Sequence, residues 1–312
     1  VVDGFSPHAV GHRSTLCQRE ATTTSFDDTN VDTVDVTTTS KEKLFVEWME
    51  TDSLEEVPYP GRTLEVKGSI PSYVKGDYIK NGPGAFATRD KSQRFTHAFD
   101  GLAKLQKFEI DGSNNQVVFT TKFLDSQLKR GMLDADPPFM PGHLSVGPTD
   151  PQIGFFPRLM AGLDVYNTCV NIEDLSSTGT FVANTDATFK TQFDRRTLET
   201  IGHSPPPKIE GASPFGLGIF STAHGKVAKR DGLTYNYVCE QGLETWCHFV
   251  RTNADLTHTS IGKVPLNDGK ISYVHEVSVT DRYAILCLYP TFVDVAATIR
   301  TGSLFPQVTF DP

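Results

Sequence analysis

Along most of the chain, apolar residues fall in short runs of strand length, each following a turn signal. Val117-Val118-Phe119 and Phe123-Leu124 follow Asp111-Gly112, and Thr180-Phe181-Val182-Ala183 follows Ser177-Thr178-Gly179. Tyr235, Tyr237 and Cys239 alternate with Asn236, Val238 and Glu240 after Asp231-Gly232, and residues 271–279 follow Asp268-Gly269. Asp-Gly between alternating runs is a strong hairpin signal, because the tight turn needs positive φ that these residues tolerate. Residues 283–289 are continuously apolar, which predicts a strand buried on both faces. No long stretch carries the 3.6-residue period of a helix. The pattern predicts an all-β fold of sandwich, barrel or propeller type, and the chain length favours a propeller.

Two stretches depart from this pattern. The first 43 residues hold Thr22-Thr23-Thr24, Thr37-Thr38-Thr39-Ser40 and four Asp between Asp27 and Asp35, with no period. Such sequence lacks the apolar surface to offset the entropy of ordering the chain. Residues 1–43 are therefore expected to form a disordered arm, and 44–312 a single β domain. The second stretch, 154–163, is short, apolar and aromatic. It suits either a loop folded onto the core or an apolar patch facing a membrane or a tunnel mouth.

Composition narrows the function. The 312 residues carry a formal net charge of −9 and no basic cluster, which argues against nucleic-acid binding, where phosphate neutralisation dominates affinity. Five cysteines form no C-x-x-C, and there is no N-x-[ST] sequon; reduced thiols are the simpler expectation. No apolar run is long enough to span a bilayer. The chain begins at Val1 rather than Met, so an N-terminal piece is expected to be missing or removed. The acidic residues near the start argue against a targeting peptide. The expected location is the cytoplasm or a plastid, with or without membrane association.

Chemistry rests on histidine. Of nine, His143, His203 and His258 lie in Pro/Gly/Thr-rich sequence and are expected to be solvated. His248 lies in a strand, on its polar face. His97, before Ala98-Phe99-Asp100-Gly101, reads as a turn residue bonding backbone. His224, in Ser221-Thr222-Ala223-His224, and His275, in Tyr273-Val274-His275-Glu276, are 51 residues apart. That is about one propeller blade, since blade repeats run about 40–50 residues. Successive blades deliver their inner strands to one axis, so two imidazoles a blade apart can share a metal there. A strand histidine is more often structural than a ligand, and the spacing alone does not decide. No H-E-x-x-H, G-x-S-x-G or Walker loop is present. Asn81-Gly82-Pro83-Gly84 lacks the Lys-Ser/Thr of a phosphate loop and reads as a tight turn.

Four stretches in order resemble the carotenoid cleavage oxygenase (retinal pigment epithelial membrane protein) family. Residues 68–86 are similar to its I-P-x-W/Y-x-x-G-x-x-x-R/K-N-G-P-x-x-F opening, and 97–108 to its H-x-F-D-G-x-A-x-L-x-x-F run. Ser221–His224, and Tyr273–His275 with the apolar run from Tyr283, resemble its first two metal-ligand segments. The resemblance runs from about 57 to 310.

The resemblance implies a seven-bladed β-propeller with Fe(II) on its axis, held by four histidines, of which His224 and His275 are the first two. Asp186, in Asn184-Thr185-Asp186-Ala187, matches the first of the family's glutamates that bond a ligand imidazole. Asp is one methylene shorter but can still accept the Nδ1–H of His275, directly or through water. By the same resemblance, 154–163 becomes a membrane-contact and tunnel-mouth segment, with Phe155, Phe156, Leu159, Met160 and Leu163 as its apolar residues. The third and fourth ligands are expected beyond Pro312, so the chain reads as an N-terminal portion, a partial propeller inactive alone. The implied activity is O₂-dependent cleavage of a double bond in an apolar polyene, a carotenoid or apocarotenoid, to two carbonyl products. Retinoid isomerisation, cleavage of a stilbene-like double bond, and a catalytically silent propeller binding an apolar ligand stay open.

Overall fold

The computed structural model describes residues 53–156, 166–175, 180–204, 209, 217–242, 244–253, 257–266 and 270–311. The expected arm and residues 44–52 lie outside the described residues, as do Leu159, Met160 and Leu163. All ladders between named strands are antiparallel, as the hairpin signals require.

The first sheet contains β1 (Val57–Leu64), β2 (Lys75–Pro83), β4 (Ala103–Asp111) and β5 (Gln116–Phe123), in the order β1-β5-β4-β2. The Asp111-Gly112 signal closes the β4–β5 hairpin, where Asp111 Oδ1 accepts the Ser113 N–H at 3.1 Å. Beside it, β3 (Arg94–Phe95) pairs with β6 (Thr149–Asp150). A nine-stranded sheet follows. One half is β7 (Asn171–Leu175), β8 (Thr180–Thr185), β9 (Ala187–Phe193) and β10 (Thr200–Ser204). The other is β11 (Leu217–Phe220), β12 (Lys226–Val227), β13 (Thr234–Gln241), β14 (Thr245–Thr252) and β15 (His258–Pro265). The first half is a four-stranded meander, and the second has β11 and β12 on one edge of β13, followed by β14 and β15; Phe220 of β11 pairs with Ala187 of β9 to join the two. Next come a three-stranded sheet of β16 (Ile271–Ser272), β19 (Thr291–Val293) and β20 (Val308–Phe310), and the pair β17 (Ser278–Val279) with β18 (Ala284–Ile285). Among the described residues helix is confined to short pieces. The longest among the described residues, Val295–Thr301, is capped by Asp294 and stopped at Gly302, whose φ of 74° needs glycine.

Apolar clusters seal the sheets to one another. Ala103, Leu105, Phe193 and Leu198 join the first sheet to the β7–β10 half. Tyr237, Cys239, Cys247, Val274, Val277 and Val293 join the β11–β15 half to the strands after it.

Several expectations are corrected by this packing. β13 alternates in sequence but is buried on both faces, because layers cover it from either side; Asn236 and Glu240 are buried with their polar groups bonded to Thr222 and His248. Residues 283–289 form only the two-residue strand β18, with Tyr283, Ile285, Leu288 and Tyr289 exposed. Within that run Leu286 packs against the core cluster of Tyr237, Val274 and Val277. Asn81 to Pro83 is not a turn but the end of β2, and Asn81 Nδ2 donates to Thr168 O at 2.7 Å. His143, His248 and His258 are buried rather than solvated or surface-facing. Their rings fill enclosed space next to a carbonyl, a carboxylate and a hydroxyl respectively. The four described cysteines are free, as expected.

Candidate metal centre

His224 and His275 both lie where an inner strand is interrupted. β11 and β12 run along the same edge of β13, Phe220 opposite Cys239 and Lys226 opposite Tyr235. Between them residues 221–225 leave the ladder, and their backbone groups turn to side chains. Asn236 Nδ2 donates to Thr222 O at 2.8 Å, and Asn171 Nδ2 donates to Ala223 O at 2.9 Å. His275 sits between β16 and β17, which pair β19 and β18 respectively. Breaking the ladder releases these residues from the pleat, so their side chains can turn toward one point. The Thr222 hydroxyl fastens the two gaps together: it donates to His275 O and accepts the His224 N–H at 3.0 Å.

Asp186 stands at the apex of the turn joining β8 to β9, where Thr185 pairs with Ala187. Its Oδ1 accepts the Ala223 N–H at 3.0 Å. Its Oδ2 accepts the His275 Nδ1–H at 2.7 Å and the Tyr273 hydroxyl at 3.1 Å. One carboxylate therefore holds both histidine segments. The imidazoles meet edge to face, with Nε2 atoms 3.0 Å apart.

Electrostatics suits a neutral His224. Partial burial, then the neighbouring His275, lowers the pKa of His224, favouring the uncharged imidazole that a metal requires. With the His275 Nδ1–H given to Asp186, the Nε2 of that ring presents its lone pair. Burial and the adjacent Asp186 raise the pKa of Tyr273, so the phenol keeps its proton and donates.

Two imidazole nitrogens, each about 2.1 Å from one ion and about 90° apart, are separated by about 3 Å. The observed spacing fits that arrangement. It equally suits a single N–H···N hydrogen bond from His224, so the distance serves a proton or a metal. Among the described residues no group of three or more His, Cys, Asp or Glu is placed to hold a metal. Two donors are present here, not a complete set.

A cavity of about 580 Å³ opens beside the pair, with Asp186 and His275 on its wall. Phe99, Phe189, Phe220, Leu304 and Phe305 make that wall largely apolar. His97 packs edge-on against Phe305 at 4.8 Å between centroids, and Phe305 against Tyr273 at 6.3 Å. The 97–108 motif thus buttresses the site from outside. His97 caps its turn as expected, accepting the Phe99 N–H at 3.2 Å. Asp100 accepts the Val146 and Gly147 N–H groups at 2.6 and 2.9 Å, tying that turn to the far wall of the cavity. Burial pushes the Asp100 pKa up to about 6.

Thus the structure brings His224, His275 and Asp186 together. Phe155 and Phe156 are exposed, Phe156 by 74%, and their rings touch each other rather than the centre. Sequence reasoning gave no role to Tyr273 or Thr222. Tyr273 had a signal: it stands two residues before His275, a spacing that puts two side chains on one side wherever the chain is extended. Thr222 had none, because its bond to His275 O spans 53 residues.

Antiparallel, blade-like sheets carrying facing histidines beside an apolar cavity describe a propeller-type histidine-site protein. The chain belongs to the retinal pigment epithelial membrane protein family, whose model matches residues 51–312. It is 23% identical over 249 residues to the β,β-carotene 15,15'-dioxygenase of Rattus norvegicus, covering 74% of this chain and 42% of that protein. It is 27% identical over 269 residues to the mitochondrial carotenoid-cleaving dioxygenase of Mustela putorius furo, covering 80% and 47%. The chain spans about half the length of the curated relatives it matches. Its fold resembles a single-residue variant of Synechocystis apocarotenoid oxygenase, with a TM-score of 0.64, 19% identity, and 84% and 52% of the two chains covered. A cobalt-substituted form of the Synechocystis protein matches with a TM-score of 0.64, 18% identity and the same coverage.

Proposed function

We propose that this chain contributes to a non-haem iron dioxygenase that cleaves a carbon–carbon double bond of a carotenoid or apocarotenoid into two carbonyl products. The observation carrying the reading is the pair of Nε2 atoms 3.0 Å apart, one of its rings lining a largely apolar cavity. Relatives named as carotenoid-cleaving dioxygenases support it. His224 and His275 would hold Fe(II) through Nε2, as two of four histidines on the axis of a seven-bladed propeller. Bound iron supplies the redox chemistry that lets O₂ react with a polyene.

The chain's own residues do the rest. Asp186 keeps the His275 Nδ1–H engaged and so keeps Nε2 a lone-pair donor. The apolar wall takes the polyene without ligating it and excludes water from the reacting bond. The faces of Phe99, Phe220 and Phe305 suit cationic character on the polyene during the reaction. Phe155 and Phe156 provide a peripheral membrane contact from which an apolar substrate enters. Nucleic acid is not a partner, and the protein works in the cytoplasm or a plastid.

The test is to load the protein with Fe(II), supply carotenoids and apocarotenoids in detergent, and analyse the products under ¹⁸O₂. Labelled aldehydes or ketones support cleavage. Geometric isomers without label would indicate an isomerase, and retention without conversion an apolar-ligand binder.

A further inference from the structure

We infer that the Tyr273 hydroxyl is a positioning group: it orients the Asp186 carboxylate toward Nδ1 of His275 and thereby sets how tightly the histidine pair holds a metal. This deepens the proposed metal reading of that pair and rests on it. Three donors converge on the carboxylate from separate points. Ala223 N–H reaches Oδ1 at 3.0 Å, while His275 Nδ1 and the Tyr273 hydroxyl reach Oδ2 at 2.7 and 3.1 Å. A carboxylate held at one oxygen can still swing about its last torsion; three donors on two oxygens fix its plane.

Tyr273 is itself firmly placed. Its N–H donates to Thr291 O at 2.8 Å, on β19. Its ring meets the edge of Phe305 at an interplanar angle of 89°. Tyr273 and His275 are two residues apart in the segment between β16 and β17, and phenol and imidazole reach the same oxygen, Oδ2. The clamp matters most with Asp at position 186. A short side chain meets Nδ1 in few orientations, and holding one of them is what the hydroxyl does.

The experiment is a Co(II) titration of this chain, read by the visible absorption of Co(II) on imidazole. Tyr273→Phe should weaken Co(II) binding about tenfold, the usual size of effect for a group that bonds a ligand's partner, with the metal-free unfolding midpoint unchanged. In the Tyr273→Phe background, Asp186→Glu should recover most of the affinity, because the added methylene extends the carboxylate's reach. His275→Ala separates the two levels of inference. If His275→Ala binds Co(II) as the parent does, the metal reading fails. If His275→Ala loses binding while Tyr273→Phe matches the parent, the positioning role is overturned and the metal reading stands. A Tyr273→Phe loss accompanied by a lowered unfolding midpoint and no recovery with Glu also overturns it, since the role is then structural.

Discussion

Asp186 and His275, 89 residues apart, meet at 2.7 Å through Oδ2 and Nδ1. That contact needs the apex of the β8–β9 turn and the gap between β16 and β17 to reach one place. It also decides which nitrogen of His275 is left to act. Nδ1 is committed, so Nε2 faces His224.

Removing either imidazole should remove the metal. His224→Ala and His275→Ala are each expected to abolish iron loading and turnover in the active protein, with metal content measured by elemental analysis. Asp186→Asn should instead lower metal affinity about 10–100-fold while leaving both rings in place. Stoichiometric iron in either alanine variant would end that residue's assignment as a ligand.

Of the buried histidines, His248 should have a structural role. His248 Nε2 and Glu240 Oε2 are 2.8 Å apart, with side chains 0% and 2% exposed. Glu240→Ala should cost about 1–3 kcal/mol, because the imidazole is left without that partner in a dry site. Replacing both residues by leucine should recover much of this loss. Urea unfolding of the two variants checks both statements.

Two buried groups should give stability opposite slopes with pH. Burial raises Asp100 to about 6. Its contribution is full below the ordinary carboxylate pKa and is lost as pH rises through about 6. Burial, then Lys190, lowers His258 to about 4. Its contribution is full above the ordinary imidazole pKa and is lost as pH falls toward about 4. Each is worth about 3 kcal/mol at most, so they nearly cancel between about pH 4 and 6. Asp100→Asn should make stability rise more steeply with pH in that window, and His258→Gln should make it fall. Denaturation midpoints across the window measure both slopes, and parallel curves for the two variants would contradict the argument.

The exposed aromatic pair should act at a membrane surface. Phe155→Ser with Phe156→Ser is expected to reduce sedimentation with phospholipid vesicles while leaving metal content unchanged. Equal association of parent and variant would reject the interfacial role.

The all-β class was legible because Asp-Gly turns punctuate strand-length runs, and β5, β8 and β13 lie where those runs predict. Burial was less legible. Residues 283–289 are as apolar as a core strand yet stand largely exposed, since apolarity records what a segment can bury and not what covers it. His143 and His258 show the converse. Polar neighbours in sequence suggested solvent, but adjoining strands and loops enclose both rings.

By itself the sequence determined the kind of side chain at 186, 224 and 275, the punctuation that makes short antiparallel strands, and a family likeness across most of the chain. The tertiary structure alone decided that these three residues converge, that Tyr273 and Thr222 hold them, and that an apolar cavity adjoins them. The reason is physical: side-chain chemistry and local turn preference are properties of neighbouring residues. A 3.0 Å approach between rings 51 residues apart depends instead on how whole sheets pack, which no local pattern encodes.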